Sequence, residues 1–315
     1  MASIGYSLAG TTDRHGCECA ADPEDTRWLE GCVTDYAEQS CGEYKRNEDH
    51  TFPFGALLLA GSAVASPLSA RVARRHGITR PNMRITTDEQ AGAEQVNGDS
   101  QSNNWGGAVL VSSGFTGVSG KITVPTPKVP SGGDDSTQYC ATAWVGIDGD
   151  TCQSAILQTG VDFCITGSQT SYDAWYEWIP ANSIDFNNFS FGAGDEIEMS
   201  VVATSKTSGN ATLTNNSNGQ SVTHTFNSNE TGSTLCETNA EWIVEDFTII
   251  QGGQQSLAPF ANFGKVTFTD STATKDGSSV DATGADIITL VDKSGNKLAT
   301  TEVDGSTVTV TYAGN

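Results

Sequence analysis

From Asn104 to the end of the chain, no stretch keeps apolar residues at helical spacing. Short runs rich in Val, Ile, Thr, Tyr and Phe alternate instead with clusters of Gly, Asn, Ser and Asp. Examples are "EIEMSVVAT" (196–204), "SVTHTF" (221–226), "KVTFTD" (265–270) and "STVTVTY" (306–312). β-Branched and aromatic side chains suit a pleated, half-buried surface, and the pairs Asn218-Gly219 and Asp304-Gly305 suit tight turns. Many short strands with a turn every ten residues or so predict one all-β domain over residues 102–315, a β-sandwich.

The preceding third has another texture. "FPFGALLLAGSAVAS" (52–66) carries an apolar run followed by Ala63-Val64-Ala65, the small-x-small pattern of a secretory signal. We therefore expect a signal core at 52–65, and a poorly structured basic propeptide and linker at 66–101. Residues 66–84 of that segment hold five Arg. Residues 1–51, with Cys17, Cys19, Cys32 and Cys41, show no repeat and little apolar periodicity. They read as an extension from a misplaced gene start or a retained intron, with a small zinc or disulfide knot as rival. Their Cys spacing fits no strong metal template.

Charge is divided the same way. Residues 85–315 hold 7 Lys, no Arg and 27 of the 38 acidic residues. Nucleic acid and anionic membrane both require a positive patch, so neither is an expected partner. With carboxylates protonated, few positive charges remain to repel one another, which suits an acid working medium.

Secretion is consistent with N-glycosylation triplets at Asn188, Asn210, Asn215 and Asn229. It also implies that Cys140, Cys152, Cys164 and Cys236 are paired. Three connectivities are open. A hairpin of 140–148 with 156–164 sets Cys140 opposite Cys164 and leaves Cys152 for Cys236, which makes that arrangement the preferred one.

The chemistry narrows by elimination. The domain has one histidine, His224, which strand alternation places beside Val222 and Phe226 as a packed side chain. A Ser–His or Cys–His machine, or a zinc site, is therefore poorly served. "GIDGDT" (146–151) lacks the spacing of a calcium loop and reads as a tight turn. Carboxylates and amides remain. Side chains two apart on a strand share a face, so Gln158 aligns with Asp162, Asp173 with Trp175 and Glu177, and Glu241 with Ile243 and Glu245. Trp144 and Asp148 flank Gly146 in the same way. Burying carboxylates is costly, so a sheet face that repeats them reads as a site.

The stretches "SNNWGGAVL", "TAWVGIDGDTCQSAILQTGVDF", "YDAWYEWIP", "GDEIEMSVVATS" and "TNAEWIVEDF" together resemble the fungal glutamic peptidases, the eqolisins. The resemblance implies a sandwich of two antiparallel sheets of about seven strands each, and a secreted, pepstatin-insensitive acid endopeptidase. It places the catalytic pair on Gln158 and Glu245. Trp144, Asp148, Asp162, Asp173, Trp175 and Glu177 would line the substrate cleft, with Asp148 and Asp162 orienting the glutamine and the attacking water. It further implies the disulfide Cys152–Cys236, protein or peptide substrates, a monomer without metal or cofactor, and the chain's own propeptide as inhibitor. The mature chain would begin between residues 85 and 102. Two other classes compete: a jelly-roll glycoside hydrolase using Glu177 and Glu245, and a lectin-like sandwich without turnover.

Overall fold

The computed structural model describes residues 77–85, 99–251 and 253–314. The expectations for the N-terminal extension, the signal core and most of the linker lie outside the described residues. Within them every regular element is a strand. The first group is β1 (Gly77–Ile78), β2 (Ser100–Ser102), β3 (Trp105–Val111), β4 (Phe115–Thr123), β5 (Gln138–Ile147), β6 (Ile156–Thr166) and β7 (Gln169–Ile179). Next come β8 (Ile184–Asp185), β9 (Glu196–Ser205), β10 (Ser208–Asn215), β11 (Gln220–Phe226), β12 (Asn239–Glu245), β13 (Thr248–Gln251) and β14 (Gln254–Leu257). The chain closes with β15 (Lys265–Lys275), β16 (Ser278–Asp281), β17 (Asp286–Val291), β18 (Lys297–Asp304) and β19 (Thr307–Tyr312).

One hydrogen-bonded path runs β11-β10-β9-β4-β15-β19-β18-β17-β3-β12-β5-β6-β7-β8, with β16 on β15 and β2 beside β17. The expected sandwich is present, but its two layers are not separate sheets. Strand β15 belongs to both: Lys265–Phe268 pair with β19, while Thr269–Lys275 pair with β4 across a register shift between Thr269 and Thr272. Asp270, inside that shift, has a left-handed φ of 51°. A bulge of this kind bends a strand from one layer into the next. Strands β1, β13 and β14 form a small sheet of their own.

Alternation decides what faces the core. Ala141, Ala143, Val145 and Ile147 of β5, Leu157, Val161 and Phe163 of β6, and Trp242 and Val244 of β12 pack against Val118, Ile122, Met199, Val201 and Leu213 of the opposite layer. The complementary faces of β5, β6, β7 and β12 point outward, yet they are also buried. Together with Trp105 and Val109 of β3 and Ile288 of β17, they form a second apolar cluster through Trp144, Ile156, Trp175, Ile179 and Ile243.

The β5–β6 hairpin has the expected register: Cys140 faces Cys164 and Gly146 faces Gln158. Both preferred disulfides, Cys140–Cys164 and Cys152–Cys236, are formed.

Candidate active site

On the outward face, register organises the side chains into three rows crossing β12, β5, β6 and β7. The first is Glu241, Gly146, Gln158 and Glu177; the second Ile243, Trp144, Gly160 and Trp175; the third Glu245, Thr142, Asp162 and Asp173. Two glycines shape the middle. A Cβ on Gly146 would stand 2.9 Å from the Trp144 ring and 3.2 Å from Gln158 Cβ. One on Gly160 would meet Trp144 Cβ at 2.5 Å. The bare backbone at both positions lets the Trp144 ring lie on the sheet, and its Nε1 donates to Glu245 Oε2 at 3.0 Å. Trp105 of β3 packs edge-on against that ring, at 4.9 Å between centroids.

Gln158 is completely buried. Its Nε2 donates to Glu177 Oε2 at 2.9 Å, which fixes the amide with nitrogen rather than oxygen toward the carboxylate. Trp175 Nε1 donates to Asp162 Oδ1 at 2.8 Å and to Thr142 Oγ1 at 3.1 Å, holding the third row together. Glu177 is thus the group that orients Gln158. Asp162 stands on the row of Glu245, two rows from the glutamine, and Asp173 lies opposite it on β7.

Asp148 has a different role from the expected one. Its residue adopts φ of 68° in the turn after β5. Its carboxylate accepts the backbone amides of Cys236, Glu237, Thr238 and Asn239 at 2.7–3.2 Å. In return Asn239 Oδ1 accepts the amides of Thr151 and Cys152. The Cys152–Cys236 disulfide spans the same two loops. Asp148 therefore clamps the loop entering β12 and sets the path of the strand that carries Glu245.

The cleft is covered by residues 77–85, a strap contributed by the expected propeptide. Gly77 and Ile78 pair with Ile249 and Thr248 of β13. The Thr79 side chain is buried, donates to Glu177 Oε2 and accepts from Gln158 Nε2. The next residue, Arg80, donates its backbone N–H to Glu245 Oε1 at 3.1 Å. Two consecutive strap residues therefore bridge Gln158 and Glu245, which limits the separation of those side-chain tips to roughly 10 Å. Further on, Asn82 Nδ2 donates to Asp150 Oδ1, and Arg84 grips both oxygens of Asp150 at 2.8 and 2.6 Å.

Sequence reasoning missed Asn104. Its Nδ2 reaches Glu245 Oε1 at 3.4 Å and the carbonyls of Arg80 and Pro81, while its Oδ1 accepts the Met83 amide. An asparagine immediately before the buried Trp105 was the available signal. Thr79, Arg84 and Asp150 were missed too.

Two of the buried carboxyls are held above their ordinary range. Glu241 is pushed well above the usual glutamate range, first by burial and then by the charges of Asp150 and Asp148. Asp246, on the opposite face of the chain, is raised by burial and by Glu245. His224 stacks on Tyr176 at 4.0 Å and is held below the ordinary histidine value, chiefly by burial. It is the packed side chain expected from alternation. Of the glycosylation triplets, Asn188 and Asn229 are exposed and Asn210 is half-buried. Asn215 is buried, with Nδ2 bonded to Ser190 O and Asp195 Oδ2, and a glycan on that nitrogen would break both bonds.

Residues 103–312 match the peptidase A4 family. The chain belongs to that family. The A4 relatives include Aspergillopepsin-2 of Aspergillus niger, 46% identical over 277 residues, 81% of this chain and 96% of the relative. Scytalidopepsin B of Scytalidium lignicola is 44% identical over 262 residues, 82% of this chain and 96% of the relative. A crystal structure of scytalido-glutamic peptidase with a peptide-based transition-state analogue superposes with TM-score 0.60 at 46% identity. It covers 67% of this chain and 98% of that one. The chain is accordingly a peptide hydrolase of the glutamic type, and its fold is the eqolisin sandwich.

Proposed function

We propose that Glu245 and Gln158 are the catalytic pair of a secreted endopeptidase working in acid on protein or peptide substrates. The observation that carries this reading is the strap, which lays a peptide bond of the chain itself, Thr79–Arg80, across the two side chains. Glu245 as carboxylate takes a proton from water as the water oxygen attacks the scissile carbonyl carbon. The carbonyl becomes an oxyanion, to which a Gln158 N–H donates. Glu245 then returns the proton to the departing nitrogen as the C–N bond breaks, leaving a carboxylic acid and an amine. Trp144 and Asn104 hold Glu245, and Glu177 holds Gln158. An ordinary glutamate titrates near about 4.3, so a Glu–Gln pair suits acid medium and needs no imidazole or metal. The glycoside-hydrolase alternative would use Glu177 as a free acid, whereas here it is tied to Gln158.

The strap acts on the same site as an inhibitor. In its presence the Gln158 NH₂ faces the Thr79 hydroxyl and the Glu177 carboxylate, so it has no N–H to offer an oxyanion. The peptide bond above it therefore stays intact until the strap shifts. Secretion rests on the signal core at 52–65, with Asn188 and Asn229 as the accessible glycan acceptors. The sandwich is read as a monomer once processed.

The test is casein digestion by the acid-incubated full chain in the presence of pepstatin. Glu245→Gln should abolish turnover with the fold intact, and Gln158→Ala should cost on the order of 10²–10³ in rate, as for loss of an oxyanion donor. Near-normal digestion by Gln158→Ala would remove the pair from the mechanism.

A further inference from the structure

Resting on the peptidase reading, we infer that Asp150 is a specificity subsite for an arginine side chain in the substrate, five residues beyond the bond that is cut. The Asp150 side chain has no exposed surface, and its ion-pair partner Arg84 is itself 23% exposed. Among the described residues, every hydrogen bond to its carboxylate comes from the strap: Asn82 Nδ2 at 2.6 Å, Arg84 Nε at 2.8 Å and Arg84 Nη2 at 2.6 Å. When the strap leaves, a buried carboxylate is left bare. Beside it stands Glu241, fully buried, whose two carboxyl oxygens have no hydrogen-bond partner of normal geometry among the described residues. Asp148, the other neighbouring carboxylate, is already engaged by the loop entering β12. From residue 85 onward the chain contains no Arg, so a guanidinium that fills the site must come from outside the sandwich.

The strap also shows how such a side chain would be delivered. Asn82 N donates to Gly149 O at 2.9 Å, and Gln153 Nε2 donates to Asn82 O at 3.3 Å. Met83 N donates to Asn104 Oδ1, and Asn103 N donates to Met83 O. These contacts are to backbone and would hold any sequence running in the same direction. Asp150 reads a side chain. With Thr79–Arg80 over the catalytic pair, Arg84 is the fifth residue past that bond. The two-point grip matches the planar guanidinium fork and would be lost with a point-charge ammonium or a neutral group.

The binding test does not depend on turnover. The full chain is given a recognition sequence for a sequence-specific protease within residues 86–98 and nicked there, so that the strap can exchange. A fluorescent nonapeptide of sequence GITRPNMRI (residues 77–85) is then titrated in two forms, with arginine or with neutral citrulline at the position of Arg84. The arginine form should bind tighter by on the order of tenfold or more, since removing one partner of a buried ion pair leaves the other uncompensated. Asp150→Asn should bring the two forms within about twofold of each other. Equal binding to the unsubstituted protein, or no binding of either form, overturns the subsite; the citrulline comparison needs no protein variant and so does not depend on one folding. Cut-site profiling of a peptide library with the acid-activated chain should then show arginine enriched at the fifth residue after the cut, and a flat distribution overturns the role in specificity. A library left entirely uncut would instead count against the peptidase reading, with the binding result still deciding the subsite.

Discussion

At the scale of single residues, the cleft combines two kinds of carboxyl. Glu245 is surrounded by donors from Trp144, Asn104 and the strap, whereas Glu241 is buried beside the carboxylates of Asp150 and Asp148. The folded state raises Glu241 and Asp246, so it binds their protons more tightly than the unfolded chain does. The stability this contributes is complete below the ordinary carboxyl values of about 4, and it is lost as pH rises through the folded values. Glu241→Gln should therefore flatten the decline of Tm between acid and neutral pH, gaining at neutral pH roughly 2–4 °C for each kcal/mol recovered, while changing little in acid. Scanning calorimetry across that range checks it, and an unchanged slope would mean that Glu241 is not the titrating group. Alternation aligned Gln158 with Asp162, Asp173 with Trp175 and Glu177, and Glu241 with Glu245 within their strands, because period-two spacing survives folding; that the strands share one cleft came from the family resemblance. The partners of each group were not legible in this way. The family resemblance gave Asp148 as an orienting carboxylate and alternation set it beside Trp144, but the strand ends at Ile147 and the side chain turns into the neighbouring loop.

At the scale of elements, the site depends on β5, β6 and β12 being covered on both faces. Gly146 is the sharpest case. In Gly146→Ala the added carbon would press on the Trp144 ring and on Gln158. The substitution should cost about 1–3 kcal/mol as overpacking. It should also lower kcat by roughly tenfold with KM little altered, because Trp144 would no longer hold Glu245 in place. Thermal melts and steady-state kinetics on one preparation separate the two effects. The β5–β6 register was readable from the Cys140 and Cys164 positions, since a hairpin fixes its pairs by its centre. The sharing of β15 between layers was not, because a bulge depends on tertiary bending rather than on composition. The strap was foreseen only as part of a poorly structured basic propeptide, with an inhibitory role implied by the family resemblance. Its backbone pairing with β13 and the Thr79 contacts come from shape and could not be inferred from five arginines in a row of polar residues.

At the scale of the whole molecule, the scarcity of positive charge is a folding condition. Acid removes the carboxylate charges and leaves the domain with seven Lys, the single His224 and little self-repulsion. Adding lysines at exposed strand positions such as Thr204, Ser221, Thr223 and Thr225 should reverse this. Urea midpoints should then fall more at about pH 3 than at about pH 7, because only in acid is the added charge unopposed. Equal losses at both values would show that the change acts through the lost hydroxyls instead.

The three rows beneath the strap are fixed by strands paired along their length. On the proposed reading of the strap as an inhibitor, maturation is a subtraction from rows that the paired strands already hold. The lag before first activity should follow how quickly nine residues let go, with no rearrangement of the sandwich left to wait for.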